Sequence, residues 1–192
     1  MSLEFNRRSF LKYSAAAAVA VAGSSLLVGC GEDEYQKTGK IGSTLKLMGT
    51  FRMYDNPAPT FALDTGSTTN GTFTCKLNIK CTTKKVPLYV AAGCFQLTVI
   101  HGDEKKNYAD SGFVTVDKPN FKLAEKDDAE DFTITVKGNT SNPLNIVAGD
   151  KVEFIYFPRI QASSGNSGYT RAFCTWKMTA KDDGTSGNIA FE

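Results

Sequence analysis

The amino-acid sequence predicts an all-β protein, built as an antiparallel β-sandwich of about seven to nine strands. Two features of its 192 residues support this prediction. Apolar residues recur at every second position in several runs, and sequences rich in Gly, Asp and Asn separate those runs. No sustained helical period follows residue 40, although residues 124–131 have the composition for one short helical turn.

The run at 73–81 is the clearest of the predicted strands. Its apolar residues alternate with Thr, Lys and Asn, which is typical of a strand with one face buried and the other in water. The same period predicts strands at 45–53, 95–99, 132–136, 152–156 and 172–178. The turns between strands are marked by Gly102-Asp103, Gly138-Asn139, Gly149-Asp150 and Asp183-Gly184.

The N-terminal segment carries an export signal. The stretch Asn6-Arg7-Arg8-Ser9-Phe10-Leu11-Lys12 resembles the twin-arginine export motif. The residues that carry the resemblance are Arg7, Arg8, Phe10 and Leu11. Residues 13–29 are uncharged and rich in Ala and Val, but fall short of the roughly 20 strongly apolar residues of a membrane-spanning helix. The resemblance implies export across a bacterial cytoplasmic membrane.

The segment ends in Leu27-Val28-Gly29-Cys30, which resembles a lipobox. The resemblance implies that the Cys30 sulfur takes a diacylglycerol, that residues 1–29 are removed, and that the protein is held on the membrane through lipid at Cys30. Acyl chains contribute about 0.8 kcal/mol per buried CH₂, so they can anchor a protein without any spanning helix. Residues 30–40 are mostly polar and are predicted to be a flexible tether, which leaves 41–192 as the sandwich domain.

The charge balance excludes one class of partner. Three of the 22 basic residues and one of the 20 acidic residues lie in the signal, so the remainder carries 19 of each. A nucleic-acid-binding domain needs a basic surface that neutralises phosphates. We therefore expect no nucleic-acid partner.

The order of features also resembles a known group of domains. Its elements are the opening Gly39-Lys40-Ile41-Gly42, the strand at 73–81, the hairpin at 102–108, and Val147-Ala148-Gly149-Asp150 before a strand. Over residues 39–157 the chain is similar to secreted and lipid-anchored bacterial domains related to the mycobacterial secreted immunogenic protein. The resemblance implies an immunoglobulin-like sandwich. It supplies no catalytic residues, and a fold alone does not license a function.

Three groups of residues have the composition of a catalytic or metal site. Leu63-Asp64-Thr65-Gly66-Ser67 resembles the aspartic-protease signature, but that chemistry needs a second carboxylate loop, so we interpret it as a turn. His101 is the only histidine, too few for a blue-copper site, and is interpreted as a surface side chain. The acidic residues at 125–131 lack the spacing of a calcium loop. We expect no metal, no cofactor and no catalytic residue.

Four cysteines follow Cys30. Cys75, Cys81, Cys94 and Cys174 make an even number in an exported domain, which favours disulfides. Cys75 and Cys81 cannot pair with each other, because six strand residues at ~3.3 Å each exceed the reach of a disulfide. The expected pairs are Cys75–Cys174 and Cys81–Cys94. Four buried free thiols are the alternative, since the twin-arginine route carries folded proteins.

Two long connections, 54–71 and 158–168, are predicted to contact a partner. Both are rich in Ser, Thr, Asn and Gly, and sandwiches commonly bind through such loops. The aromatic residues in or beside them are Tyr54, Phe61, Tyr156 and Tyr169.

Together these features predict a non-catalytic, lipid-anchored binding module outside the cytoplasmic membrane, with an envelope protein or a glycan as its partner. The alternative is an envelope redox or cofactor-associated accessory protein, because folded export often serves proteins loaded with a cofactor in the cytoplasm. An enzyme acting alone is the third choice.

Overall fold

The computed structural model describes residues 35–47, 49–82, 87–161, 167–169, 172–185 and 187–192. These residues belong to one compact unit that spans Glu32–Glu192. The described ranges contain sixteen strands and one 3₁₀ turn at Ala92–Cys94. The strands are β1 (Gln36–Gly39), β2 (Thr44–Lys46), β3 (Gly49–Met53), β4 (Thr60–Leu63), β5 (Gly71–Cys81), β6 (Leu88–Val90), β7 (Phe95–His101), β8 (Glu104–Ala109), β9 (Val114–Val116), β10 (Phe121–Leu123), β11 (Ala129–Lys137), β12 (Lys151–Tyr156), β13 (Arg159–Gln161), β14 (Ser167–Tyr169), β15 (Phe173–Asp182) and β16 (Asn188–Phe191).

Two sheet layers enclose the core. The first has the strand order β1-β15-β12-β7-β8, and the second has the order β9-β11-β5-β3-β2. β4 lies beside β3 on the same edge of β5, and β16 pairs with both β4 and the last residues of β15. The two layers are therefore joined at one edge. A separate four-stranded sheet has the order β10-β6-β13-β14.

Aromatic rings from both layers meet in the core. Phe73 of β5 stacks on Phe154 of β12, with ring centroids 6.0 Å apart. Phe51 of β3 lies edge-on to Tyr156 of β12 at 4.9 Å. All four side chains are fully buried. The residues that alternate in the sequence thus face one another between the sheets, which is where apolar area leaves water.

The all-β antiparallel sandwich predicted from the sequence is confirmed. Each of the six predicted runs coincides with one or two observed strands. The strand number exceeds the expected seven to nine because strands of three or four residues form inside predicted connections, as β4 does within 54–71. Residues 124–131 contain no helix, since β11 already begins at Ala129 and pairs with β5.

The predicted tether is wrong from residue 36 onward. Gln36–Gly39 forms β1, which runs parallel to β15 and pairs with residues Phe173 to Trp176. The turn after β1 is fixed because Trp176 Nε1–H donates to the carbonyl of Ser43 at 3.1 Å. This polar strand is held by main-chain pairing and not by an apolar face, so its sequence shows no alternation that would predict it.

β15 runs from one end of the sandwich to the other, and we name the two ends by reference to its first and last residues. β1 begins beside Phe173, the first residue of β15, and we call this the β1 end. The turn into β16 follows Asp182, the last residue of β15, and marks the opposite end.

Candidate functional site

An open groove of about 460 Å³ lies where β15 finishes, and we call this the groove end. Its lining comes from the end of β4 and the following loop, from residues 145–148, and from the turn between β15 and β16. Leu63, Val147 and Ile189 contribute apolar surface, and Asn145, Thr185 and Asn188 contribute amides and hydroxyls.

The groove is nearly uncharged. Asp182 is the one charged side chain in its described lining, which contains no Lys or Arg and no aromatic ring. Val147 is 38% exposed and is one of only two large hydrophobic side chains exposed in the described ranges. An amide side chain both donates and accepts hydrogen bonds. The groove therefore suits a neutral ligand that carries donors, acceptors and a small apolar group.

Asp64 organises the first wall of the groove. Its carboxylate accepts hydrogen bonds from Asn70 Nδ2 at 3.0 Å and Thr72 Oγ1 at 2.9 Å, and forms an ion pair with Lys137 Nζ at 3.0 Å. The hydrogen bond from Lys137, followed by that from Thr72, lowers the pKa of the Asp64 carboxyl. The motif that resembles a protease signature is therefore an ordered turn whose carboxylate is occupied in holding the loop.

The same loop is tied to the next segment of the groove. Asn70 Oδ1 accepts the main-chain N–H of Leu144 at 2.9 Å, and the N–H of Gly71 donates to the carbonyl of Leu144 at 2.8 Å. Gly138 approaches this junction so closely that an added Cβ would lie 2.0 Å from Leu144 N and 2.4 Å from Asn70 Oδ1. Position 138 has no room for a side chain.

Asp150 organises the second wall. This carboxylate is only 4% exposed, and its Oδ2 accepts the N–H of Val147 at 3.0 Å. Its Oδ1 lies 2.7 Å from Nδ1 of His101, a ring that is 70% exposed. Asp150 is the only hydrogen-bond partner that the described structure gives the His101 ring. Among the described residues, no hydroxyl or thiol is hydrogen-bonded to the His101 ring, as a nucleophile activated by that ring would be.

Neither expected disulfide is formed in the described structure, where Cys75, Cys81, Cys94 and Cys174 are buried thiols. Cys75 and Cys81 lie on β5, in one layer, whereas Cys174 lies on β15 opposite Tyr156 in the other. Cys94 lies in the 3₁₀ turn, with its thiol 3.5 Å from the carbonyl oxygen of Tyr89.

Burial also lowers the reactivity of two of these thiols. It raises the pKa of Cys75 well above its ordinary value, and that of Cys174 to about 12. A thiol reacts through its thiolate, which is scarce at neutral pH when the pKa is this high. Both side chains therefore belong to the hydrophobic core.

The structure corrects two of the predicted partner-contact residues. Phe61 is 1% exposed on β4 and Tyr156 is fully buried on β12, so neither side chain reaches a partner. Tyr54 is half-buried, and its hydroxyl donates to Asp131 Oδ1 at 2.8 Å. The side chain of Tyr169 and residues 162–166 lie outside what the structure describes.

The acidic cluster is divided among separate partners. Asp127 pairs with Lys80 at 2.9 Å, and Glu130 pairs with Lys118. Asp128 Oδ2 accepts the main-chain N–H groups of residues 124 and 125. Within the described ranges, no group of three His, Cys, Asp or Glu side chains is placed to hold a metal ion. These carboxylates stabilise the connection into β11.

Sequence reasoning missed the groove residues. Asn145 and Val147 lie before β12, whereas Thr185 and Asn188 lie 38 or more residues later, in the turn into β16 and at the start of that strand. No pattern in either segment predicts that it contacts the other. The available signal was the pair of turns at Gly149-Asp150 and Asp183-Gly184, which the structure brings to the same end of the sandwich.

Comparison with known proteins identifies a signal sequence at the N-terminus. Residues 4–24 match the TAT (twin-arginine translocation) pathway signal sequence. No curated protein and no solved structure matches the chain. Arg7, Arg8, Phe10, Leu11 and Cys30 lie outside the described residues. Among the described residues there is no helix with the length and hydrophobicity to span a bilayer. The signal marks the chain as a protein exported across the cytoplasmic membrane.

Proposed function

We propose that this chain is a lipid-anchored, extracytoplasmic binding module of the bacterial cell envelope, without catalytic activity of its own. The observation that carries the proposal is the matched twin-arginine signal at 4–24, followed after two further residues by Leu27-Val28-Gly29-Cys30. A signal that ends in this way provides the thiol that a diacylglycerol modifies. The domain that follows is a rigid sandwich with an open groove.

The titratable groups support a non-catalytic role. Asp64 is held by three partners and Asp150 by two, so neither carboxylate is available to a substrate. The thiols of Cys75 and Cys174 are buried, and their raised pKa values keep them protonated. Catalytic sites instead gather perturbed groups in one cleft.

Lipid anchoring is tested at Cys30. The Cys30→Ser variant is expected to take up no labelled fatty acid and to leave the membrane fraction, because serine provides no thiol for the diacylglycerol. Replacing Arg7 and Arg8 with Lys in a matched variant is expected to retain an uncleaved precursor in the cytoplasm. Wild-type acylation of Cys30→Ser would exclude the lipobox, whereas normal export of the double-Lys variant would exclude dependence on the arginine pair.

We further propose that the groove binds an extended, uncharged segment of an envelope protein. Main-chain amides match the side chains of Asn145 and Asn188, while Val147 offers apolar contact to a partner side chain. A glycan is a weaker fit, because the described lining has no aromatic ring on which a sugar would stack.

Site-specific photo-crosslinking in the native host tests the groove. A photo-crosslinking amino acid in place of Thr185 is expected to trap one protein partner. The matched control replaces Lys76, which is exposed on the outer face of β5, and is expected to trap none. Equal trapping at both positions would place the contact elsewhere, and a crosslinked product that a glycosidase removes would identify a glycan.

The alternative is an envelope redox or cofactor-associated accessory protein. The observation that favours it is the twin-arginine signal itself, since this route carries proteins already folded around a cofactor. A visible absorption spectrum of protein purified from its host distinguishes the two functions, because a bound redox cofactor absorbs there and the amino-acid side chains do not.

A further inference from the structure

The short segment before β1 limits how an anchored domain can stand on a membrane. β1 begins at Gln36, six residues after Cys30. An extended chain covers at most ~3.3–3.6 Å per residue, so this segment reaches about 20 Å. The groove lies beyond the far end of β15, whose ten residues cover about 30 Å when extended.

We infer that the β1 end of the sandwich faces the bilayer and that the groove faces away from it. This inference rests on the proposed lipidation of Cys30. A domain standing with its groove on the bilayer would hold Gln36 about 30 Å from the surface, which is beyond the ~20 Å reach of the segment. The inverted orientation is therefore excluded by chain length alone.

Tyr35 favours the upright domain over one lying on its side. It immediately precedes β1 and is 52% exposed, the most exposed large hydrophobic side chain in the described ranges. A tyrosine has an apolar ring and a polar hydroxyl, and this combination suits the headgroup region of a bilayer. Tyr35 is five residues from Cys30. Its ring therefore lies within reach of the lipid headgroups beside which the acylated Cys30 is held.

The inferred orientation rests on chain length and on Tyr35, and does not depend on charge. At the β1 end, Lys80 pairs with Asp127, so charges of opposite sign offset each other. Lys80 lies at this end because its neighbour Ile79 on β5 pairs with Phe51. The Phe51 ring in turn contacts Tyr156, the last residue of β12. The orientation is consequently expected on neutral as well as anionic lipid.

In this orientation, the two connections that the sequence predicted to contact a partner differ in their access to one. Residues 158–161, the described start of the second connection, follow β12 at the β1 end and would face the lipid. Residues 64–70 form a wall of the groove, which would remain accessible to another envelope protein. An anchored domain therefore presents the first connection and turns the start of the second toward the bilayer.

Depth-dependent fluorescence quenching tests the orientation. The acylated mature protein carries a single fluorophore at either Gln36→Cys or Thr185→Cys, in phosphatidylcholine vesicles that contain a headgroup-quenching lipid. The four native thiols past Cys30 are at most 2% exposed, and acylation blocks Cys30, so the added thiol is the one that reacts. We expect loss of fluorescence at position 36, and at position 185 only the loss seen with non-acylated protein.

A matched variant isolates the length of the segment. Inserting 20 Gly/Ser residues after Gly31 lengthens it to an r.m.s. span of about 30 Å. Quenching at position 36 is then expected to fall. Equal quenching at 36 and 185 in the native-length protein would overturn the inference, as would unchanged quenching at 36 in the lengthened variant. Mass spectrometry of Cys30 separates these outcomes from failure of the proposed anchoring, which would show an unmodified cysteine.

Discussion

The two ends of the sandwich are stabilised in different ways. At the groove end, Asp64, Asn70 and Asp150 hold two loops, 64–70 and 138–150, through directional hydrogen bonds. At the β1 end, Phe51, Phe95 and Tyr156 pack ring against ring, with centroids 4.9 and 5.3 Å apart. Directional contacts fix the shape of a loop, whereas ring packing chiefly removes apolar area from water. A binding surface made of loops therefore depends on a few polar side chains that the core does not need.

The largest expected effect comes from Gly138→Ala at the groove end. An added Cβ would lie 2.0 Å from Leu144 N and would displace the Asn70 amide that binds it. We expect a loss of about 3 kcal/mol in the free energy of unfolding, measured by urea denaturation.

Gly112→Ala is the matched control. The nearest atom to an added Cβ there is Asp110 Oδ1 at 3.3 Å, so the expected loss stays within about 0.5 kcal/mol. Similar values for the two variants would mean that the junction of Gly138 with Leu144 is not constrained.

A smaller effect, dependent on pH, is expected from Asp64→Asn. The pKa of Asp64 is lower in the folded protein than in the unfolded chain, where it is about 3.9. The ionised carboxyl thus stabilises the fold above about pH 4, and this contribution is lost as the pH falls through the folded pKa. The difference in thermal stability between wild type and variant is expected to shrink as the pH falls from 6 to 2.5.

The matched variant for this experiment is Asp127→Asn at the β1 end. Its pKa is also lowered, by a hydrogen bond from Lys80, so its stability difference has the same sign and the same pH window. Only Asp64→Asn is expected to weaken crosslinking from position 185, because only Asp64 holds a wall of the groove. A stability difference for Asp64→Asn that does not change with pH would contradict the assigned ionised state.

The smallest effects are expected from two Tyr→Phe variants. The Tyr108 hydroxyl donates to the carbonyl of Pro143 at 2.7 Å, so Tyr108→Phe is expected to cost about 1 kcal/mol. The buried hydroxyl of Tyr156 has no hydrogen-bond partner among the described residues, so Tyr156→Phe is expected to change the free energy of unfolding by about 0 or to raise it slightly. An equal loss in both variants would show that Tyr156 is also paired.

The core was predictable because alternation is a local signal. The period of two at 152–156 puts Val152, Phe154 and Tyr156 on one face, and all three are buried. That period also argued against Tyr156 as a partner-contact residue, although its position beside a long connection suggested the opposite. Where the alternation of side chains along a strand and proximity to a loop give opposite predictions, alternation is the better guide. The reason is that burial of apolar area determines which face of the strand points into the core.

The sequence alone determined the export signal, the strand-forming runs and the absence of sustained helices from the described ranges, because each depends on neighbouring residues. Only the tertiary structure decided that polar Gln36–Gly39 becomes a strand, since its stability comes from pairing with β15. Likewise, only the fold brings the loop after β4, residues 145–148 and the β15–β16 turn together as a groove. These contacts join residues far apart in the chain, and no local pattern encodes which distant backbone or loop will be the neighbour.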